Sequence, residues 1–271
     1  MDMEPLVKLT RDVKAAAATL SHGEARFLVN TYYMLQGDRI RSQHQERQLI
    51  AREEPHEVLG WFANNAGVLE RNIKSSLGVY ADAHRVGRWS QSILGIGPII
   101  AAGLLAHIDI TMAPSVGHIW SFAGLNPDRK WEKKTKRPWN ADLKTLCWKI
   151  GESFVKVSGN EHDTYGKLYI ERKAYERGRS ERGELAEEAA RALAEKKYRD
   201  DTKAKAAYLQ GRLPDGHLHA RAKRWTVKLF LSHWHYVAYE VHYGRPPANP
   251  YILEHNPMHV HFAAPPNWPM K

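Results

Sequence analysis

In the stretch SQSILGIGPIIAAGLLAHIDI, residues 90–110, Gly95 and Gly97 flank Ile96, and Pro98 follows directly. Two glycines one residue apart allow a backbone to approach a ligand closely, and a helix opened by proline offers its positive end at the same place. Phosphate binding is the chemistry such a turn could do. The familiar cradles do not fit: a dinucleotide fold needs a preceding strand and a third spaced glycine, and a P-loop needs Gly-Lys-Ser/Thr after the turn. The residues instead read as helix, turn, helix, with Gly95, Ile96, Gly97 and Pro98 either approaching a phosphate or simply letting two helices meet.

A second stretch, DRKWEKKTKRPW, residues 128–139, carries six cations (Arg129, Lys130, Lys133, Lys134, Lys136 and Arg137) against Asp128 and Glu132, interleaved with Trp131 and Trp139. Cations interleaved with aromatics suit a nucleic-acid backbone plus stacking on exposed bases; the plainer alternative is a solvated loop. The chain's fifteen histidines crowd its C-terminal part in HLH, SHWHYVAYEVH and EHNPMHVH and raise the question of a metal. His235 and His242 lie seven residues apart, about 10.5 Å along a helix, which disfavours shared ligation. Surface or aromatic-packed histidines are therefore expected, with a composite site joining His255, His259 or His261 to that helix as the alternative. Glu240 and His233 read as neighbours on one helix face, and Asp109, Glu152 and Glu171 do not combine into a catalytic pair. No metal, cofactor or independent catalytic motif is expected.

These stretches must be held by helices. Ser21 with Glu24 has the form of a capping box, and Phe27, Leu28, Tyr32 and Leu35 follow at helical spacing. Pro55 opens a second helix with an apolar stripe through Val58, Leu59, Phe62, Val68, Leu69, Ile73 and Leu77, predicting an antiparallel pair. Asn140 caps a helix whose Leu143, Leu146, Cys147, Ile150, Phe154 and Val157 recur at three and four residues. Residues 160–208 are charged and Ala-rich, a composition that favours helix and buries little. A core pattern resumes over 217–243, and a Pro-rich tail follows Gly244. The fold class expected is mostly α: a helical bundle with a helix-hairpin-helix module and a charged helical arm. The organisation read from it is an N-terminal coiled-coil-like region over 1–89, the module over 90–159, the arm over 160–216, and a core helix with its tail over 217–271.

Forty Lys and Arg against thirty Asp and Glu give a formal charge of +10 over 271 residues, which favours a polyanionic partner. Residues 93–108, the most apolar run, are shorter than the roughly 20 a membrane span requires. One cysteine, Cys147, admits no internal disulfide and reads as a buried thiol, in keeping with a cytoplasmic setting. The Met1 end lacks the basic-then-apolar order of a signal peptide.

Taken together, ILGIGPIIAAGLLAHI, FAGLNP and KRPWNADLKTL resemble the C-terminal domain of the IS110/IS116/IS902 family of transposases over about residues 90–158. That domain has a Gly-x-Gly-Pro hairpin, an Ala-Gly-Leu-x-Pro helix end and a helix start built on Asn. The resemblance implies DNA backbone contact through Gly95, Ile96, Gly97 and Pro98, and through Asn140 and Lys144 at the next helix start. It also implies a phage or mobile-element setting and a nucleoid-associated or phage-infected-cell location. Two departures accompany it. Residues 1–89 are too few and too helical for the family's RuvC-like nuclease domain, and Thr135 is the only hydroxyl in the loop where the family carries a catalytic serine. A DNA-binding protein that self-associates through its N-terminal helices is the leading expectation. An active transposase or recombinase component is the alternative, and a structural or regulatory protein-binding module is the third.

Overall fold

The computed structural model describes residues 9–54, 57–248 and 263–270. Among them every regular element is helical, as the sequence predicts, and the fold is a mostly-α helical bundle. The chain divides into two compact units, one holding residues up to Ser92 together with Ile96–Met112, the other holding Ile93–Gly95 and Ala113–Pro269. The segment 90–158 is therefore shared between the two, and the division falls inside the Gly-x-Gly turn.

The first unit contains α1 (Arg11–Ala16), α2 (His22–Ile50), α3 (Glu57–Ala83), α4 (Arg85–Gln91) and α5 (Pro98–His107). The predicted capping box opens α2: Glu24 N–H donates to Ser21 Oγ at 3.2 Å, and Ser21 N–H donates to Glu24 Oε2 at 2.8 Å. Two orphan amides of the first turn are satisfied in this way. α2 and α3 run antiparallel, since Gly60 faces Glu46 while Gly67 and Glu70 face Arg39. Pro55, expected to open α3, lies outside the described residues.

The apolar stripe expected on this pair is only partly the buried one. Leu77 is buried, but Phe27, Val58, Phe62 and Leu69 are exposed, while Ala25, Val29, Tyr32, Ala63, Asn65, Gly67 and Glu70 are buried. The physical reason is a close seam of small residues around one ion pair. The Arg39 side chain lies against Gly67, and its Nε donates to Glu70 Oε2 at 2.5 Å. Burial works to raise the Glu70 carboxyl, but bonds from Arg39 and Gln36 outweigh it and hold the group below its ordinary value. Large apolar side chains are displaced from such a seam. α5 packs on α2, α3 and α4, and every residue from Ile99 to His107 is buried. Its lack of charge is explained by a core position, and no helix among the described residues is long and apolar enough to cross a membrane.

The second unit contains α6 (Val116–Phe122), α7 (Ala141–Val157), α8 (Tyr165–Glu181), α9 (Ala186–Glu195), α10 (Lys203–Leu209) and α11 (Asp215–Tyr243). α7 buries Leu143, Leu146, Cys147, Ile150 and Phe154, five of the six residues its periodicity selects. Its Phe154 ring stacks on Tyr165 of α8 at 4.8 Å and meets Phe230 of α11 edge-on at 5.4 Å, so three helices share one aromatic centre. The charged segment after residue 160 buries more than its composition implies. α8 lies along α11, and beyond it Leu185, Ala189, Tyr208, Leu213 and Leu218 form a small core of their own.

Candidate nucleic-acid interface

The turn before α5 uses its two glycines differently. Gly95 has φ of 95°, a left-handed conformation, and a Cβ there would come within 3.3 Å of Ser153, Phe154 and Val157 side-chain atoms. Its carbonyl accepts a hydrogen bond from Ser153 Oγ at 2.5 Å. Structure alone requires glycine at this position. Gly97 has φ of −90° at the N-cap of α5, is exposed, and has open space where a Cβ would go. Nothing in the packing demands a glycine there. Ile96 is buried, and Pro98 occupies the first turn of α5 and lies against Gly78 of α3.

The loop between α6 and α7 carries the predicted cations outward: Arg129, Lys130, Lys133, Lys134, Lys136 and Arg137 are all exposed. None of them is paired with a carboxylate among the described residues. The loop has internal order. Trp131 Nε1–H donates to the Thr135 carbonyl at 2.9 Å, the Thr135 hydroxyl donates to the Glu132 carbonyl at 2.8 Å, and the Arg137 guanidinium lies over the Trp131 ring at 4.7 Å. The Thr135 hydroxyl is thus turned onto its own loop.

Asn140 closes the loop as predicted. Its Oδ1 accepts from Leu143 N–H at 2.8 Å, and its own N–H donates to the Phe122 carbonyl at 2.9 Å, so α6 is tied to the start of α7. The side chain is engaged as a cap. Lys144, one turn on, lies over the Trp139 ring with its ammonium 3.9 Å from the centroid. Gly124, with φ of 65°, sits so close that a Cβ would lie 2.8 Å from Trp139 and 3.0 Å from Lys144 Cδ. Burial, then Arg137 and Arg224 nearby, lower the Lys144 ammonium from its ordinary value.

Gly95 packs on Ser153 and Val157, whereas the loop enters α7 at Asn140, and the helix rises about 20 Å between Asn140 and Ser153. One expectation needs correcting. Glu240 does not pair with His233; its carboxylate accepts from Trp268 Nε1–H at 2.8 Å. His233 is instead a core residue, bonded through Nδ1 to the Tyr165 hydroxyl at 2.6 Å and through Nε2 to the Ala263 carbonyl at 2.9 Å. His235 Nε2 bonds the Ala113 carbonyl at 2.8 Å. These histidines are tied into packing, and no group of three potential ligands is placed to hold a metal among the described residues. His255, His259 and His261 lie outside them.

Reasoning from sequence missed three residues on this side of the second unit. Trp120 of α6 donates through Nε1–H to the Lys228 carbonyl at 3.2 Å, and the Lys228 ammonium lies 4.1 Å from the Trp120 ring centroid. Arg224, four residues before Lys228 on α11, is exposed and forms no ion pair with a carboxylate among the described residues. The signal available was the basic run RAKRWTVK within a helix, whose Arg224 and Lys228 share a face. No protein-family model, curated protein or solved structure matches this chain.

Proposed function

We propose that the chain is a DNA-binding protein of a phage or mobile element, related to the C-terminal domain of IS110-type transposases and acting in the cytoplasm. It binds the DNA backbone through the loop of residues 128–139 and the start of α7, with the turn at Gly97 and Pro98 as a further contact. The observation that carries this reading is the set of six exposed loop cations without carboxylate partners among the described residues, in a protein of formal charge +10. Flexible Lys and Arg side chains read phosphate rather than base edges, so little sequence preference is expected. Arg129, Lys130, Lys133, Lys134, Lys136 and Arg137 supply charge, while Asn140 holds the helix start beneath them and Lys144 presents its ammonium from that first turn. The exposed apolar residues Phe27 and Met34, seven apart on α2, together with Phe62 of α3, support self-association through the N-terminal helices.

The test is duplex binding as a function of salt. Phosphate contacts make the logarithm of affinity fall linearly with the logarithm of salt concentration, by roughly 0.9 for each phosphate neutralised on duplex DNA. A folded protein whose affinity for DNA is absent at low salt would move the reading to a protein-binding module. Gly97→Ala, which the packing tolerates, separates a phosphate role for the turn from a structural one: weaker binding by a folded variant supports the first. Sedimentation of a Phe27→Glu, Phe62→Glu variant at matched concentration tests self-association, and an unchanged mass distribution overturns it.

A further inference from the structure

We infer that Trp120, Trp131 and Trp139, with Arg137, Lys144, Arg224 and Lys228, form a binding face for single-stranded DNA that holds phosphates on the cations and unpaired bases on the indoles. The inference rests on the DNA-binding reading and narrows it to a nucleic-acid form and to a surface that extends onto α11.

Each of the three indoles carries a cation: Arg137 over Trp131 at 4.7 Å, Lys144 over Trp139 at 3.9 Å and Lys228 over Trp120 at 4.1 Å. The pairs belong to one surface. Trp120 bonds the backbone of α11, Asn140 bonds the end of α6, and Gly124 is pressed against both Trp139 and Lys144. A side chain already laid across a ring has given up much of its rotamer freedom, so less is lost when it takes a phosphate. The cations also crowd one another. After burial, Arg137 and Arg224 act to lower the Lys144 ammonium, and Arg224 acts to lower Lys228, with Asp128 the acid that opposes it. A polyanion seated on this surface would relieve that repulsion.

The indoles decide between strand forms. In a duplex the base faces are stacked on each other and only edges and backbone are presented, so partly exposed rings gain little from it. A single strand offers the faces themselves, and stacking on aromatic side chains tolerates any sequence. Trp131 is 49% exposed, and Trp120 and Trp139 are partly so. Three spaced indoles interleaved with cations match a strand in which phosphates and unpaired bases alternate.

The test titrates the full chain with an oligo-dT of about 16 nucleotides, following tryptophan fluorescence, and with a duplex of the same length followed by anisotropy. Single-strand binding should quench the fluorescence and be tighter than duplex binding. Arg224→Ala alone, and Arg224→Ala with Lys228→Ala, should weaken it, the pair by about tenfold, with the salt slope reduced by roughly 0.7 for each phosphate no longer neutralised. Trp131→Ala should lower affinity and quenching together, and Trp131→Phe should restore most of the affinity. Duplex binding without single-strand quenching overturns this inference and leaves the DNA-binding reading standing. Failure to bind either form overturns both. Tight single-strand binding unchanged in the folded Arg224→Ala, Lys228→Ala protein places the strand elsewhere and overturns this surface.

Discussion

Successive turns of α11 treat the same residue types in opposite ways. At Arg221 the guanidinium meets Glu176 and Glu188, and around it Arg172 and Arg179 share Glu176, Lys173 and Arg177 share Asp215, and Arg179 and Arg182 share Glu184. One turn later Arg224 and then Lys228 form no ion pair with a carboxylate among the described residues, and neither do the cations of the loop beside them. The Glu176 carboxylate is 1% exposed and answers three guanidinium groups, so the first region holds the helices α8, α9 and α11 in register. Its charges are used up internally. In the second region Arg224 and the loop cations are exposed, with tryptophans among them. A net charge says nothing about this division; the positions of Glu176, Glu188 and Asp215 create it.

The sharpest way to break the comparison is Glu176→Ala. Removing a buried carboxylate leaves three arginines without their counter-charge, and a loss of about 3 kcal/mol of stability is expected, read by urea unfolding. A loss under roughly 1 kcal/mol would mean that the paired region is ornamental to the fold. DNA affinity of the folded fraction should not change.

Acid separates the two regions next. Burial pushes the His233 imidazole down to about 4 from an ordinary value of 6.5. The unfolded chain takes up the proton first, so stability is lost as pH falls from about 6.5 toward 4 and levels off below. Between pH 7 and pH 5 that amounts to about 2 kcal/mol, measured as the difference between the native protein and His233→Gln. His233 is a core residue away from the proposed phosphate contacts, so binding by the folded protein should persist. A pH dependence identical in the two proteins would remove His233 as its cause.

Gly124→Ala forces a side chain into a left-handed backbone and onto the Trp139 ring, and should cost about 1–2 kcal/mol. It should also disturb binding by moving Trp139 and Lys144. An Ala variant of full stability and full affinity would show that the close approach to the tryptophan is not needed. The smallest effect on stability is expected from changing Lys133, Lys134 and Lys136 together to Ala. Unfolding should shift by no more than about 0.5 kcal/mol, while the salt slope on duplex DNA falls by up to roughly 0.9 for each phosphate left without its lysine. A destabilised triple variant would place these lysines with the paired region after all.

What the sequence made legible follows the range of the interactions. The Ser21–Glu24 box, the Asn140 cap and the apolar face of α7 each depend on residues three or four apart, and they stand where the spacing puts them. The α2–α3 seam departs from its apolar pattern because its decisive contacts, Arg39 with Glu70 and with Gly67, join residues about thirty positions apart and are polar or small. The loop cations are legible as a local charge run. Trp120 is not, since its partner Lys228 lies 108 residues away in sequence and identifies it only once α6 rests on α11.

Cys147 gives the second unit a reporter of its own opening. It is the one thiol in the chain, it is 2% exposed between Leu146 and Ile150 on the buried face of α7, and burial pushes its ionisation up to about 12. A thiol that is both covered and protonated reacts with an alkylating reagent only when α7 leaves its bed. The rate of labelling under native conditions is then a clock for that excursion. Counted by mass, one adduct per chain marks each molecule that has opened, with no engineered probe and no second site to confuse the record.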